Sequence, residues 1–206
     1  MAEFFHIHPE NPQSRLLKKA ADIIAQGGLV AYPTDSSYAF GCHLGDKAAL
    51  DRIAAIRKVN RDHNFTLVAR DLSHISEYAK VNNQQYRLIK SSTPGPFTFI
   101  LPAKRKVPRR IMQQRRKTIG LRIPDNPIVL GLLTILDEPI LSSTLILPGH
   151  ELPLGDPNDI YDALKHQVDL VIDGGHCGIE PTTIIDWHLD VPQVTRQGKG
   201  QALFVD

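Results

Sequence analysis

An α/β fold, an open, twisted, mixed β-sheet flanked by helices, is predicted by three observations on this 206-residue sequence. Short runs rich in β-branched and aromatic residues alternate with stretches whose apolar side chains recur at helical spacing, so strands and helices take turns. In two places, residues 29–42 and 182–196, strand-like runs follow one another with no helix between them, which mixes parallel and antiparallel neighbours. Finally, 42% hydrophobic and 22% charged residues are the balance of a globular protein. A chain of this length buries roughly 70% of the surface its unfolded form exposes, which suits one large domain over residues 1–206.

Each element has its own signal. Phe4 and Ile7 read as a short first strand with His6 and His8 on one face. That spacing is open to a metal, but with no third ligand nearby two exposed histidines are the expectation. Asn11-Pro12 opens a helix through Leu16, Leu17, Ala20, Ile23 and Ile24, ended by Gly27-Gly28. A strand from Leu29 leads into Pro33-Thr34-Asp35-Ser36-Ser37, and a second apolar run follows through Tyr38, Ala39 and Phe40 to Gly41. Asp46 is the N-cap of a helix with Leu50, Ile53, Ala54 and Arg57 on one face. Residues 59–64 form a polar loop and 65–69 a strand; Ser73 caps a short helix towards Tyr78, and 83–90 form another. Residues 91–96 turn through two prolines around Gly95, and strands follow at 97–101 and 118–123. Asn126-Pro127 opens a helix through Leu133 and Leu136. The apolar run 139–147 reads as a strand, 157–166 as a helix and 168–172 as a strand. Gly174-Gly175-His176-Cys177-Gly178 is a loop between strands rather than a phosphate cradle, because no helix follows it. Strands at 182–187 and 191–196 come last.

Composition excludes several classes. There is no run of 18 apolar residues, so no membrane span is expected. The N-terminus lacks the pattern of a secretory signal. Cys42 and Cys177 form no CxxC; free thiols in a reducing cytoplasm are the simplest reading, with a single disulfide as the alternative. The formal net charge is only +2, but Lys104, Arg105, Lys106, Arg109, Arg110, Arg115, Arg116 and Lys117 crowd residues 104–117 with no acid among them. The remaining 16 basic residues stand against 22 acidic ones, a formal −6. Such a segment suits a polyanion, nucleotide phosphate or RNA. A solvated loop is the plain alternative.

The familiar catalytic signatures are missing. No GxxxxGK[ST] occurs, no GxGxxG follows a strand, and there is neither a serine nucleophile elbow nor HExxH. No metal site is expected. What remains is a set of hydroxyls and cations at strand ends: Thr34, Thr66, Thr118, Arg122, Thr144, Thr182, Thr183 and Arg196. These groups position anions and small polar ligands. The corner at residues 33–37 is a polar turn held between two rigid strands, which is a place for a binding site. It is equally a β-turn capped by Asp and Ser. Arg122 could pair with Asp125 or another acid, and threonines favour strands for their own sake.

The motifs also carry a resemblance. Pro33-Thr34-Asp35 with Tyr38 and Phe40-Gly41-Cys42, Pro94-Gly95-Pro96-Phe97-Thr98, and Thr118-Ile119-Gly120-Leu121-Arg122 leading into Pro124-Asp125-Asn126-Pro127 stand in order along the chain. Residues 139–144, Pro181-Thr182-Thr183-Ile184-Ile185-Asp186 and Arg196-Gln197-Gly198 continue the series. From about residue 16 to residue 196 this resembles the YrdC/YciO family, and His63-Asn64-Phe65-Thr66-Leu67 is most similar to its YciO branch. The resemblance implies a YrdC-like fold with a basic concave face. It implies ATP as a substrate, with Mg²⁺, and no permanent cofactor. In active members threonine and bicarbonate give a carbamate that attacks the α-phosphate of ATP, releasing pyrophosphate and threonylcarbamoyl-AMP for tRNA t6A modification. Carried over by position, Thr34 and Thr182 hold threonine, while Arg57, Lys58, Thr118, Arg122, Thr144 and Arg196 contact nucleotide or phosphate. The family's Lys-x-Arg is here Arg57-Lys58-Val59, so Lys58 or Arg61 is left to supply the second cation. Its Ser-x-Asn is here Thr144-Leu145-Ile146, which keeps a hydroxyl and loses the amide. The alternative is a non-catalytic protein that binds tRNA or double-stranded RNA through the eight cations of residues 104–117.

Overall fold

The computed structural model describes residues 1–60 and 63–201. Along the chain run β1 (Glu3–His6), α1 (Ser14–Ala25), β2 (Val30–Tyr32), β3 (Ala39–His43), α2 (Lys47–Arg57), β4 (Thr66–Val68), α3 (Leu72–Tyr78) and α4 (Asn83–Ser92). Then follow β5 (Phe97–Pro102), β6 (Thr118–Arg122), α5 (Pro127–Leu136), β7 (Ile140–Thr144), α6 (Pro157–Leu164), β8 (Leu170–Asp173), β9 (Thr183–Asp186) and β10 (Gln193–Arg196). The strands form one mixed sheet in the order β1-β8-β2-β3-β7-β4-β6-β5-β9-β10. The two consecutive strand pairs expected from sequence, β2 with β3 and β9 with β10, are antiparallel neighbours. Parallel pairs join β1 and β2 to β8, β4 to β6, and β5 to β9.

Several boundaries differ from the sequence expectation, each for a local reason. α1 begins at Ser14 behind Gln13, not at Asn11-Pro12. α3 is capped by Asp71, whose carboxylate accepts from the His74 N–H at 2.9 Å, so Ser73 lies inside the helix. α4 carries a capping box of Asn82 and Gln85 and runs on to Ser92. β7 stops at Thr144, two residues past the end of its pairing with β4 at Ser142. Asp46 and Asn126 cap α2 and α5 as expected. β1 ends at His6, which bonds Asp173, while His8 accepts the backbone N–H groups of Glu10 and Asn11, so each histidine has its own structural partner. Cys42 and Cys177 are free and buried. Among the described residues no helix is long and apolar enough to cross a membrane.

Alternation along the strands decides where the cavity lies. Leu67 of β4, Phe99 and Leu101 of β5, Ile119 and Leu121 of β6, Leu141 of β7 and Ile185 of β9 join one core with residues of α2 to α4 and α6. On the opposite face α1 and α5 pack over β1, β8, β2 and their neighbours, burying Leu17, Ala20, Ile24, Leu132, Leu133 and Tyr32. Those two helices cover only part of that face. Beyond them β4, β6, β5 and β9 turn Thr66, Thr98, Gly120 and Ile184 towards open space. A Cβ on Gly120 would come within 3.1 Å of Thr66 Oγ1, so glycine keeps this floor clear.

The two faces should respond differently to truncation. Leu67→Ala empties a wholly buried site and is expected to lower the unfolding free energy by about 2–5 kcal/mol. Thr66→Ala, next to it on the open face, is expected to cost about 1 kcal/mol or less. Urea denaturation of the two variants checks this.

Candidate active site

The corner at residues 33–37 is built around one hydroxyl. Thr34 Oγ1 donates to the Ser37 carbonyl at 2.6 Å and accepts from the N–H groups of Ser36 and Ser37, both at 3.2 Å. The side chain is buried, its hydroxyl consumed in closing the turn. Arg122, at the end of β6, reaches this corner. Its Nη2 forms an ion pair with Asp35 and donates to Ser36 Oγ at 3.0 Å and Thr34 Oγ1 at 3.3 Å. Both partners of the pair are nearly inaccessible, at 9% and 10% side-chain exposure, so each must have the other. Arg122 therefore pairs with Asp35 across the sheet rather than with Asp125. Among the described residues the buried Arg122 Nε and Asp35 Oδ2 have no hydrogen-bond partner.

Two further clusters face Arg122 across a cavity of about 180 Å³. In the first, Thr182 Oγ1 lies 2.9 Å from Thr98 Oγ1, and Arg196 donates to the Thr182 carbonyl from Nε at 2.9 Å and to Thr182 Oγ1 from Nη2 at 3.1 Å. Gly198 lets the chain after β10 lie against this strand: its N–H donates to Thr183 Oγ1 at 2.9 Å, and a Cβ there would stand 2.7 Å from the Thr182 carbonyl carbon. In the second, Arg57 Nη1 at the end of α2 donates to Ser143 Oγ at 2.5 Å and to His63 Nε2 at 2.8 Å. Arg57 Nε reaches the Ile146 carbonyl at 3.5 Å. Thr144, Thr66 and Asn64 complete the wall.

Charge sets what this space can hold. Three guanidiniums line the cavity, and among the described residues no carboxylate stands in its wall. Burial lowers the proton affinity of Arg57, and burial together with the charge of Arg122 lowers that of Arg196. Burial, then the charge of Arg57, holds His63 down to about 4, so the imidazole is neutral near pH 7. Among the described residues only Arg122 of the three has a countercharge, Asp35. Desolvated cations of this kind are stabilised by an anion, and the hydroxyls of Thr98, Thr144 and Thr182 can orient it.

The structure gathers Arg57, Arg122, Thr144, Thr182 and Arg196 of the sequence-derived set around one cavity. Thr118 is buried in an adjoining space of about 300 Å³, which shares Asn64, Thr66, Thr98 and Ile184 with the first and adds Phe65, Ile111 and Arg116. Thr34 stands behind Arg122 and outside the cavity wall. Lys58 is the left-handed C-cap of α2 and lines none of this space. Arg61 lies outside the described residues. Thr183 faces the other side and donates to the Gly200 carbonyl. Thr66, one of the strand-end hydroxyls picked out from the sequence, lines the cavity. His63, Thr98 and Ser143 were missed as site residues, although the alternation of Thr98 with Phe99 marked its face.

The eight cations of residues 104–117 divide in two. Lys104 bonds the Ser76 carbonyl, Lys106 pairs with Glu77 over the Tyr78 ring, Arg110 bonds the Gly45 carbonyl and Arg116 pairs with buried Asp186 at 2.9 Å. Arg105, Arg109, Arg115 and Lys117 are exposed and form no ion pair among the described residues.

A family model, Sua5_yciO_yrdC, with the description "Telomere recombination", matches residues 22–198. The chain is 57% identical over 201 residues to an uncharacterized protein of Haemophilus influenzae, covering 97% of each. It is 52% identical over 200 residues to the uncharacterized protein YciO of Escherichia coli, again covering 97% of each. Its structure is similar to the crystal structure of E. coli YciO, with a TM-score of 0.94 over 98% of both chains. It is also similar to the crystal structure of P. abyssi Sua5 complexed with L-threonine, with a TM-score of 0.87 at 26% identity, covering 95% of this chain and 57% of that one.

Removing the countercharge of Arg122 tests how the corner is held. Asp35→Ala is expected to cost about 3–5 kcal/mol, because it strands a buried guanidinium. The double variant Asp35→Ala with Arg122→Met should recover a large part of that loss in chemical denaturation.

Proposed function

Since the chain belongs to the Sua5/YciO/YrdC family, we propose that its cavity binds ATP and a small amino acid, threonine, and joins them through bicarbonate into threonylcarbamoyl-AMP, the precursor of the t6A modification of tRNA. The single observation that carries this reading is a wall of three guanidiniums, free of acids among the described residues, interleaved with the hydroxyls of Thr98, Thr144 and Thr182. The similar Sua5 structure that is complexed with L-threonine supports the amino-acid half.

The reaction asks the protein for placement and charge rather than for a nucleophile. A carbamate oxygen attacks the α-phosphorus of ATP, the bond to the bridging oxygen breaks, and pyrophosphate leaves with the electron pair. Arg57 and Arg196 stand on opposite clusters of the wall and would neutralise charge on the phosphates and on the departing pyrophosphate. Arg122, fixed by Asp35 and the Thr34 corner, would receive the carboxylate of the amino acid, with Thr182 and Thr98 offering hydroxyls to its polar groups. Among the described residues no three His, Cys, Asp or Glu side chains converge on a metal site. Mg²⁺ would enter as part of the ATP substrate, carried on its phosphates. Ile146 places a backbone carbonyl on Arg57 where the family has an asparagine amide, so nucleotide contacts there rest on Thr144 and the backbone.

A second reading rests on Arg105, Arg109, Arg115 and Lys117. Four exposed cations without acidic partners among the described residues would add a phosphate-binding surface for tRNA or double-stranded RNA, either beside the synthase activity or in place of it.

Two experiments test these readings. Incubation with ATP, Mg²⁺ and bicarbonate should release pyrophosphate only when threonine is present, with the adenylate seen by mass spectrometry. Arg196→Ala should slow that release by about a hundredfold or more. Pyrophosphate release indifferent to threonine, or none at all, rejects the synthase. For RNA, affinity should fall steeply with salt. Neutralising Arg105, Arg109, Arg115 and Lys117 together should flatten the logarithmic salt slope by about one for each phosphate that is no longer neutralised.

A further inference from the structure

Within the cavity Arg57 already holds a partner, and that partner is not an anion. Its Nη1 lies 2.8 Å from His63 Nε2 and 2.5 Å from Ser143 Oγ, and Nε2 and Oγ lie 2.9 Å from each other. A guanidinium can only donate, so Nε2 carries the lone pair in this triangle and Nδ1 carries the proton. The imidazole is neutral here, and both burial and the charge of Arg57 keep it so. No acid comes near it from the described elements packed around it. The Phe65 ring meets it edge-on at 5.0 Å, and Arg110 and Arg115 of the basic segment share with it the adjoining side of the cavity. Its chain neighbours Arg61 and Asp62 lie outside the described residues.

We propose that His63 is a proton-linked counter-ligand of the anion site: it occupies Arg57 while no anion is bound, and when an oxyanion takes Arg57 the imidazole accepts one proton from solvent and turns its new N–H to Ser143 Oγ. The atoms for this exchange are already in contact. Ser143 Oγ has a lone pair for a protonated Nε2, at the distance now seen between them. The oxyanion replaces the acceptor that Arg57 loses, and its charge offsets that of Arg57, which together with burial keeps the ring neutral. Each event therefore favours the other, and by reciprocity acidification that protonates His63 must tighten the anion. Release of an anionic product would return the lone pair to Arg57. His63 is thus a positioning residue that acts through Arg57. The proposal rests on the anionic reading of the cavity and does not depend on the adenylation itself.

Sulfate is the probe, because it stays a dianion throughout the range needed. For the full chain, sulfate affinity measured by calorimetry should rise as pH falls from about 7.5 to about 5, by up to about tenfold per pH unit as uptake approaches one proton. Titrations in two buffers of different ionisation enthalpy should report that uptake directly. Ring ¹⁵N spectra, with His63 assigned by its absence in a variant, should move from the Nδ1–H tautomer to the doubly protonated ring as sulfate is added at about pH 6. His63→Gln keeps an acceptor for Arg57 but cannot take the proton, so it should bind sulfate with no pH slope; His63→Asn is the fallback if it fails to fold. The proposal is overturned if wild type takes up no proton on binding, or if His63→Gln keeps the same slope. Sulfate that binds without a slope removes the coupling and leaves the anion site standing. Failure to bind sulfate at any of these pH values removes the anion site and the ATP reading with it.

Discussion

The ion pair between Arg122 and Asp35 is the constraint on which the site depends. The two residues are 87 positions apart, and the strands they extend, β6 and β3, are separated in the sheet by β7 and β4. With neighbouring strands about 4.8 Å apart, the pair ties together parts of the sheet that no single hydrogen-bond ladder joins. Burying both charges is expensive, and the cost is offset only because Ser36 and Thr34 hydroxyls satisfy the same guanidinium nitrogen. The corner that looks like an ordinary polar turn is thereby held in one conformation. Two buried polar atoms, Arg122 Nε and Asp35 Oδ2, keep hydrogen-bonding capacity in reserve.

Against that fixed point the other two guanidiniums are less settled. Arg196 is braced on neutral groups of Thr182, and Arg57 on neutral groups of Ser143, His63 and Ile146. Both lose proton affinity to burial, with no acid among the described residues of the cavity wall to restore it. An occupied cavity is therefore electrostatically more comfortable than an empty one, so a bound anion also raises the stability of the fold.

Much of this was legible in the sequence because the signals were local. The mixed sheet follows from two strand pairs with no helix between them, and the α2 and α5 N-caps follow from Asp46 and Asn126. Placing Arg122, Thr182 and Arg196 at strand ends was enough to bring them to one cavity. What stayed hidden depends on distant partners. Nothing around Arg122 in the sequence names Asp35, and nothing around Arg116 names Asp186. Half of the basic segment is consumed by such internal bonds, which a count of charges cannot reveal. By its place in the motif Thr34 reads as a ligand-binding residue, but in the structure its hydroxyl closes its own turn. The family resemblance puts Lys58 near the phosphates, but the left-handed end of α2 leaves it outside the cavity wall.

The half-covered face of the sheet has a consequence for how this chain can change. Along β4, β5 and β9 the core is made by Leu67, Phe99 and Ile185, while Thr66, Thr98 and Ile184, each their immediate neighbour, touch the cavity. Stability and ligand choice are thus written on alternate letters of the same short words. A substitution on one set leaves the packing of the other set in place. A scaffold so divided can acquire a new substrate one floor residue at a time without first becoming less stable.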